Sequence, residues 1–126
     1  MNIENLRALC LSLPGTTEDV QWGNDLLFRI GKKIYASACL DPAAPVRVSF
    51  KCTPEEFAEL TEREGIVPAA YVARYHWVSL ERWDALELRE IDRLVRGSYD
   101  LVRAGLPKKV AARLDKTKPR RKKRIR

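Results

Sequence analysis

Histidine occurs once in this chain of 126 residues, at position 76. A histidine metal cluster is therefore excluded, and any Cys-His catalytic pair would depend on that single imidazole. The three cysteines, Cys10, Cys39 and Cys52, are odd in number and lack Cys-x-x-Cys spacing, which argues against a disulfide framework and against a zinc site. The glycines stand apart at 15, 23, 31, 65, 97 and 105, too scattered for a phosphate-cradling loop. No stretch reaches the roughly 18 consecutive apolar residues of a membrane-spanning helix. The N-terminus carries Glu4 and no basic region ahead of an apolar run, so it is a poor secretory signal. The expectation is a cytoplasmic protein with free thiols, no metal, no cofactor and no catalytic constellation.

Acidic residues are missing from one end. Between positions 116 and 126 stand eight basic residues, Lys116, Lys118, Arg120, Arg121, Lys122, Lys123, Arg124 and Arg126, and no acid. The whole chain has 24 Lys and Arg against 17 Asp and Glu, a formal charge of +7. Without those eight the balance is sixteen against seventeen, a net of −1 for positions 1–115. The chain thus divides into a nearly neutral domain over 1–115 and a basic tail over 116–126. Such a tail is expected to be disordered and to seek polyanions. No amphipathic apolar face accompanies it, so a membrane partner is not expected.

What is present suffices for one domain, since 45% of the residues are hydrophobic. Asn2 can cap a helix in which Ile3, Leu6, Leu9, Cys10 and Leu13 share a face, with Pro14-Gly15 as its stop. After a polar connection, Leu26 to Ile30, Ile34 to Leu40 and Val46 to Cys52 read as strands of an antiparallel meander. A three-residue Gly31-Lys32-Lys33 loop sets Phe28 opposite Ala36 and Ile30 opposite Ile34, which keeps apolar residues together. The Asp41 to Pro45 loop then places Ala38 opposite Val48 and Ala36 opposite Phe50. By alternation the other face carries Arg29, Tyr35 and Lys51 in one row, Ser37 beside Ser49, and Cys39 beside Arg47. Cys39 and Cys52 consequently lie on opposite faces.

Thr53-Pro54-Glu55-Glu56 signals a capped helix running to Arg63. Ile66 to Tyr71 is ambiguous between coil and a helical turn, and Tyr75 to Glu81 alternates as a strand with Tyr75, Trp77 and Ser79 on one side. Asp84 is a plausible cap for a long helix to about Gly105, with Leu88, Ile91, Leu94, Val95, Ser98, Leu101 and Val102 as its buried stripe. A short helix follows from Leu106 to Leu114. The order implies an α+β two-layer sandwich, an antiparallel sheet packed against helices.

Several short pieces resemble the MmcQ/YjbR family of bacteria. They include Leu13-Pro14-Gly15, Trp22-Gly23, the Phe28 to Ala36 hairpin, Val48-Ser49-Phe50-Lys51 and Pro68-Ala69-Ala70-Tyr71. The series continues through His76-Trp77-Val78-Ser79, Ser98-Tyr99-Asp100-Leu101-Val102 and Leu106-Pro107-Lys108-Lys109. The resemblance covers about positions 1–115 and leaves the tail outside. It implies a compact domain similar to the frataxin-like and secretion-chaperone-like folds, together with a DNA-binding label that rests on fold analogy.

Basic residues interleaved with aromatics suit nucleic acid, because cations meet phosphates and rings stack on bases. The candidate interface comprises Arg29, Lys32, Lys33, Tyr35, Arg47, Lys51, Arg74, Trp77, Lys108, Lys109 and the eight basic residues of the tail. Against it stands the reading of Trp77 as core and of the cations as solvated side chains. Trp22 and Tyr71 read as packing residues and His76 as a core or edge residue. The function expected is non-catalytic nucleic-acid binding, DNA first, largely electrostatic and of low sequence specificity. The alternative is a protein- or peptide-interaction module with a polyanion-binding tail, and a pocket uniting Lys51, Tyr35 and His76 would instead favour an enzyme.

Overall fold

The computed structural model describes residues 1–114, so the eight basic candidates at 116–126 lie outside the described residues. Asn2 accepts a hydrogen bond from the Asn5 amide at 2.8 Å and opens helix α1 (Ile3–Ser12), with Leu6, Leu9 and Cys10 buried. The strands are β1 (Thr17–Gln21), β2 (Asp25–Ile30), β3 (Lys33–Cys39), β4 (Val48–Lys51), β5 (Ile66–Pro68) and β6 (Trp77–Leu80). They form one sheet in the order β1-β2-β3-β4-β6-β5, every neighbouring pair antiparallel. Helices α2 (Pro54–Leu60), α3 (Leu88–Ala104) and α4 (Lys108–Leu114) complete the α+β sandwich.

Strand β1 replaces the expected polar connection. Its sequence, TEDVQ, lacks apolar alternation because it forms a sheet edge, where solvent reaches both faces. On the helix side Glu18 of β1 binds Arg7 of α1, and on the other side Asp19 binds Arg29 of β2 at 3.1 Å. Strand β5 likewise takes the place of the coil or helical turn expected at Ile66. It is only three residues long, too short for its alternation to be read from sequence.

The β2–β3 connection also differs from expectation. The turn is Gly31-Lys32 alone, with φ of 56° and 71°, so Ile30 pairs with Lys33 and Arg29 with Ile34. Two consecutive positive φ values match the twist of a two-residue hairpin turn. A β-bulge past Arg29 then restores Phe28 opposite Ala36, the apolar match anticipated from the sequence. The residue skipped by the bulge is Tyr35. Across the next pair, Ala36 meets Phe50 and Ala38 meets Val48 as expected.

The core lies between the sheet and α1 and α3, built from Phe28, Ile30, Val48, Phe50, Val78 and Leu80 on the strands and Leu6, Ile91 and Val95 on the helices. Ala36 and Ala38, both buried, are small and leave room for α3. Ser98 of α3 consequently reaches the sheet backbone: its hydroxyl accepts from the Lys51 amide at 2.9 Å and donates to the Tyr35 carbonyl at 2.6 Å. One helical side chain thus bridges β3 and β4 where their register ends.

Helix α3 begins at Leu88, its N-cap position held by Glu87 without a side-chain cap bond, three residues beyond the expected cap Asp84. Asp84 sits in a 3₁₀ turn (Trp83–Ala85) with its carboxylate on Arg82 at 3.0 Å. Leu88, expected in the buried stripe, is exposed as the first residue of the helix. The Thr53 capping box is present, although α2 stops at Leu60 rather than Arg63. Helix α4 returns to the β2–β3 hairpin, where glycine is required. A Cβ on Gly31 would meet Leu106 Cδ1 at 2.7 Å, and one on Gly15 would meet Leu114 Cδ2 at 2.6 Å.

Candidate functional site

Alternation along five strands builds the sheet face turned away from α1 and α3. Its middle row runs Leu27, Ser37, Ser49, Ser79 and Val67, successive partners in the register. The Ser49 and Ser79 hydroxyls are bonded at 2.6 Å. One flanking row starts with Asp25 opposite Cys39 and continues to Arg47, whose carbonyl accepts the Cys39 amide at 2.9 Å. The other contains Arg29 opposite Ile34, and Trp77. These rows floor an open groove of about 1040 Å³. It crosses from β2 to β5, four strand spacings or roughly 19 Å.

The groove brings together five of the expected residues, Arg29, Lys32, Lys33, Arg47 and Trp77. Arg29 is tied to Asp19 and donates to the Lys32 carbonyl at 3.2 Å. Arg47 donates to the Asp41 and Ala44 carbonyls at 3.1 and 2.6 Å, which holds the β3–β4 loop. The Lys32 and Lys33 ammonium groups make no hydrogen bond or ion pair within the described residues. The groove's carboxylates are Asp25 and Glu81.

Tyr35 is the main correction. The bulge turns it to the helix side, where it is 0% exposed. Its hydroxyl bonds Thr16 Oγ1 at 2.9 Å and donates to the Cys10 carbonyl at 3.3 Å, and its ring meets Tyr99 edge-on. Burial drives its phenol pKa upward, so the group stays neutral. Ile34 occupies the groove position expected for Tyr35.

Lys51 stands opposite Trp77 but lies outside the groove lining, its ammonium donating to the Tyr75 carbonyl at 2.6 Å. Arg74 stacks over the Tyr75 ring at 4.9 Å, and both belong to a 3₁₀ turn (Ala73–Tyr75), so that Tyr75 falls outside the strand expected to begin with it. Lys108 and Lys109 open α4, beside the hairpin on the helix side. His76 packs edge-on against Phe57 with ring centres 5.6 Å apart. Lys51, Tyr35 and His76 therefore form no common pocket. Cys39 lines the groove, whereas Cys10 and Cys52 are buried, with thiol pKa values pushed up by burial to about 12 and about 11. Among the described residues, no three His, Cys, Asp or Glu gather as a metal site, and no helix is long and apolar enough to cross a membrane.

Two groove residues escaped the sequence reading. Trp22 and Tyr71, read there as packing residues, line the rim and are 72% and 99% exposed. Both adopt positive φ, 54° and 69°, a conformation that bulky side chains seldom take. The turn signal Trp22-Gly23-Asn24 marks the first as a loop residue; nothing local marks the second.

The family model described as YjbR matches residues 11–101. A crystal structure of Deinococcus radiodurans protein DR2400, described as carrying the DUF419 domain, is similar at 28% identity and a TM-score of 0.79, over 90% of this chain and 88% of that one. A Pseudomonas syringae protein shares the fold at 24% identity and a TM-score of 0.66, over 80% of this chain and 98% of that one. The curated proteins contain no match to the chain.

Proposed function

The chain belongs to the YjbR family, and from that premise we propose that it is a non-catalytic nucleic-acid-binding protein, DNA first, whose folded domain binds through the open sheet groove. One observation carries the reading: four of the cations expected from the sequence, Arg29, Lys32, Lys33 and Arg47, line the same groove as Trp77. Lys32 and Lys33, at the hairpin end, are available to phosphates. Affinity then rests mainly on charge, with counterion release as its driving term and little discrimination among sequences. The basic residues after Asp115 add a second cationic region.

The test is a titration of the full chain with labelled DNA at several salt concentrations. Each phosphate contact contributes about −0.9 to the log-log slope on duplex and about −0.7 on single strands. A Lys32→Glu/Lys33→Glu variant is expected to weaken binding and make that slope shallower by roughly 1.4 to 1.8, two contacts' worth. An unchanged slope, with binding lost instead on neutralising Lys122, Lys123 and Arg124, would move the interface from groove to tail. No binding to DNA or RNA at low salt would remove the reading. The runner-up, a peptide-interaction module, draws on the apolar lining residues Leu27, Ile34, Val46 and Val67. It predicts a bound peptide that competes with neither DNA nor RNA.

A further inference from the structure

We propose that the groove takes single-stranded rather than duplex nucleic acid, with bases stacked on Trp22 and Tyr71 and phosphates on Lys32 and Lys33. This deepens the nucleic-acid reading above and rests on it. The argument begins with the two rim aromatics. Both stand in solvent, 72% and 99% exposed, on connections at opposite margins of the groove, one between β1 and β2 and the other after β5. Both also occupy the left-handed region, at φ of 54° and 69°, where L side chains are strained. Neither recovers that strain through burial. Strained backbone at an exposed, bulky residue points to a demand outside folding, and presentation of a flat ring supplies one.

The middle row of the floor between them carries three serines, Ser37, Ser49 and Ser79, the last buried and bonded to Ser49. The half-buried Ser37 and Ser49 hydroxyls can donate to or accept from base edges. The volume of about 1040 Å³ lies at the top of the range for small-molecule sites, about 300 to 1,000 Å³, and the groove is open, so a length of polymer fits it. Charge sets the polymer's sign. Among the described residues the Lys32 and Lys33 ammonium groups have no partner, and the carboxylates Asp25 and Glu81 lie on the flanking row remote from that hairpin tip. Duplex DNA keeps its bases stacked inside, out of reach of rim aromatics, whereas a single strand offers its rings freely. A sheet face with exposed aromatics and a cationic margin is the arrangement that sequence-tolerant stacking needs.

The experiment titrates the full chain with a short oligothymidine and with a duplex of equal length, at raised salt where the phosphate contribution is screened. Quenching of tryptophan fluorescence and anisotropy of the labelled strand are read together. Trp22→Gly and Tyr71→Gly are each expected to weaken oligothymidine binding by about tenfold. Trp22→Phe should retain most of the affinity, and Trp22→Gly should lose the Trp22 share of the quenching while that of Trp77 on the floor remains. The glycine variants should melt no lower than the parent, because glycine relieves the positive φ, so weaker binding cannot be ascribed to unfolding. Equal oligothymidine affinity in parent and glycine variants would overturn the stacking proposal. If Lys32→Glu/Lys33→Glu still weakened binding in that case, the broader nucleic-acid reading would survive. Preference for the duplex would also overturn the proposal, and absence of binding to either probe would remove both readings.

Discussion

Tyr35 is a polar aromatic in an alternating strand, and its hydroxyl finds two partners only because it lies beneath the sheet. Tyr35→Phe removes those bonds and strands Thr16 Oγ1, so a loss of about 1–2 kcal/mol in urea denaturation is expected. DNA affinity should be unchanged, a result opposite to that expected of an interface residue. The cysteines provide a second check on facing. Cys39 alone reaches the groove, whereas Cys10 and Cys52 are buried with raised pKa values. A thiol reagent should therefore label one cysteine promptly in the native protein and all three after denaturation. The carboxylates of Glu18 and Glu90 are held below their ordinary range, each chiefly by a hydrogen bond from an arginine, Arg7 and Arg63 respectively. A carboxyl whose folded pKa is depressed contributes stability above its unfolded value of about 4.3, and that stability is lost as pH falls through the folded value. Glu18→Gln and Glu90→Gln should flatten the fall in stability below about pH 5, as followed by acid titration of the melting midpoint.

At the scale of elements, the β2–β3 hairpin carries most of the site. It supplies Arg29, Lys32, Lys33 and Ile34 to the groove, and its geometry depends on Gly31. Gly31→Ala would strain φ at +56° and drive a methyl to 2.7 Å from Leu106. A destabilisation of about 1–3 kcal/mol is expected by denaturant unfolding. Ser98 is the corresponding point on α3. Ser98→Ala leaves the Lys51 amide and Tyr35 carbonyl without that hydroxyl, at a cost of about 1–3 kcal/mol if neither regains a partner. Hydrogen exchange at the Lys51 amide should accelerate in the same variant. Apolar pairing favours a three-residue loop over a two-residue Gly31-Lys32 turn, which sets Ile30 against Lys33 and Arg29 against Ile34; the bulge, unmarked in the sequence, lets the two-residue turn reach the same Phe28–Ala36 pairing. Hydrophobic matching therefore scores the two alike at that pair, and only backbone geometry separates them.

For the whole molecule, charge has to be divided before it is interpreted. Positions 1–115 carry a net −1 against +7 for the chain, so overall basicity says little about the groove. Mutations of the two kinds of groove residue should act separately: lysines lower both affinity and salt slope, whereas rim aromatics lower affinity with the slope nearly unchanged. That distinction is measurable in one set of titrations.

The caps of α1 and α2, most of the apolar stripes and the pairing of β3 with β4 were determined by the sequence alone, because each depends on residues close in the chain or on a period of 2 or 3.6. Asn2, Thr53 and the Ala36–Phe50 match are examples. Alternation along the meander also placed Arg29 and Arg47 on one face, whereas Trp77 joins them only because its strand pairs with β4, which the tertiary structure decides. Tertiary structure alone decided that Tyr35 turns inward, that β1 and β5 form the two sheet edges, and that Trp22 and Tyr71 stand in solvent. An edge strand takes its identity from a neighbour distant in sequence, a bulge from the sum of packing on both faces, and exposure from what fails to arrive over a side chain. None of these is a property of the nearby residues.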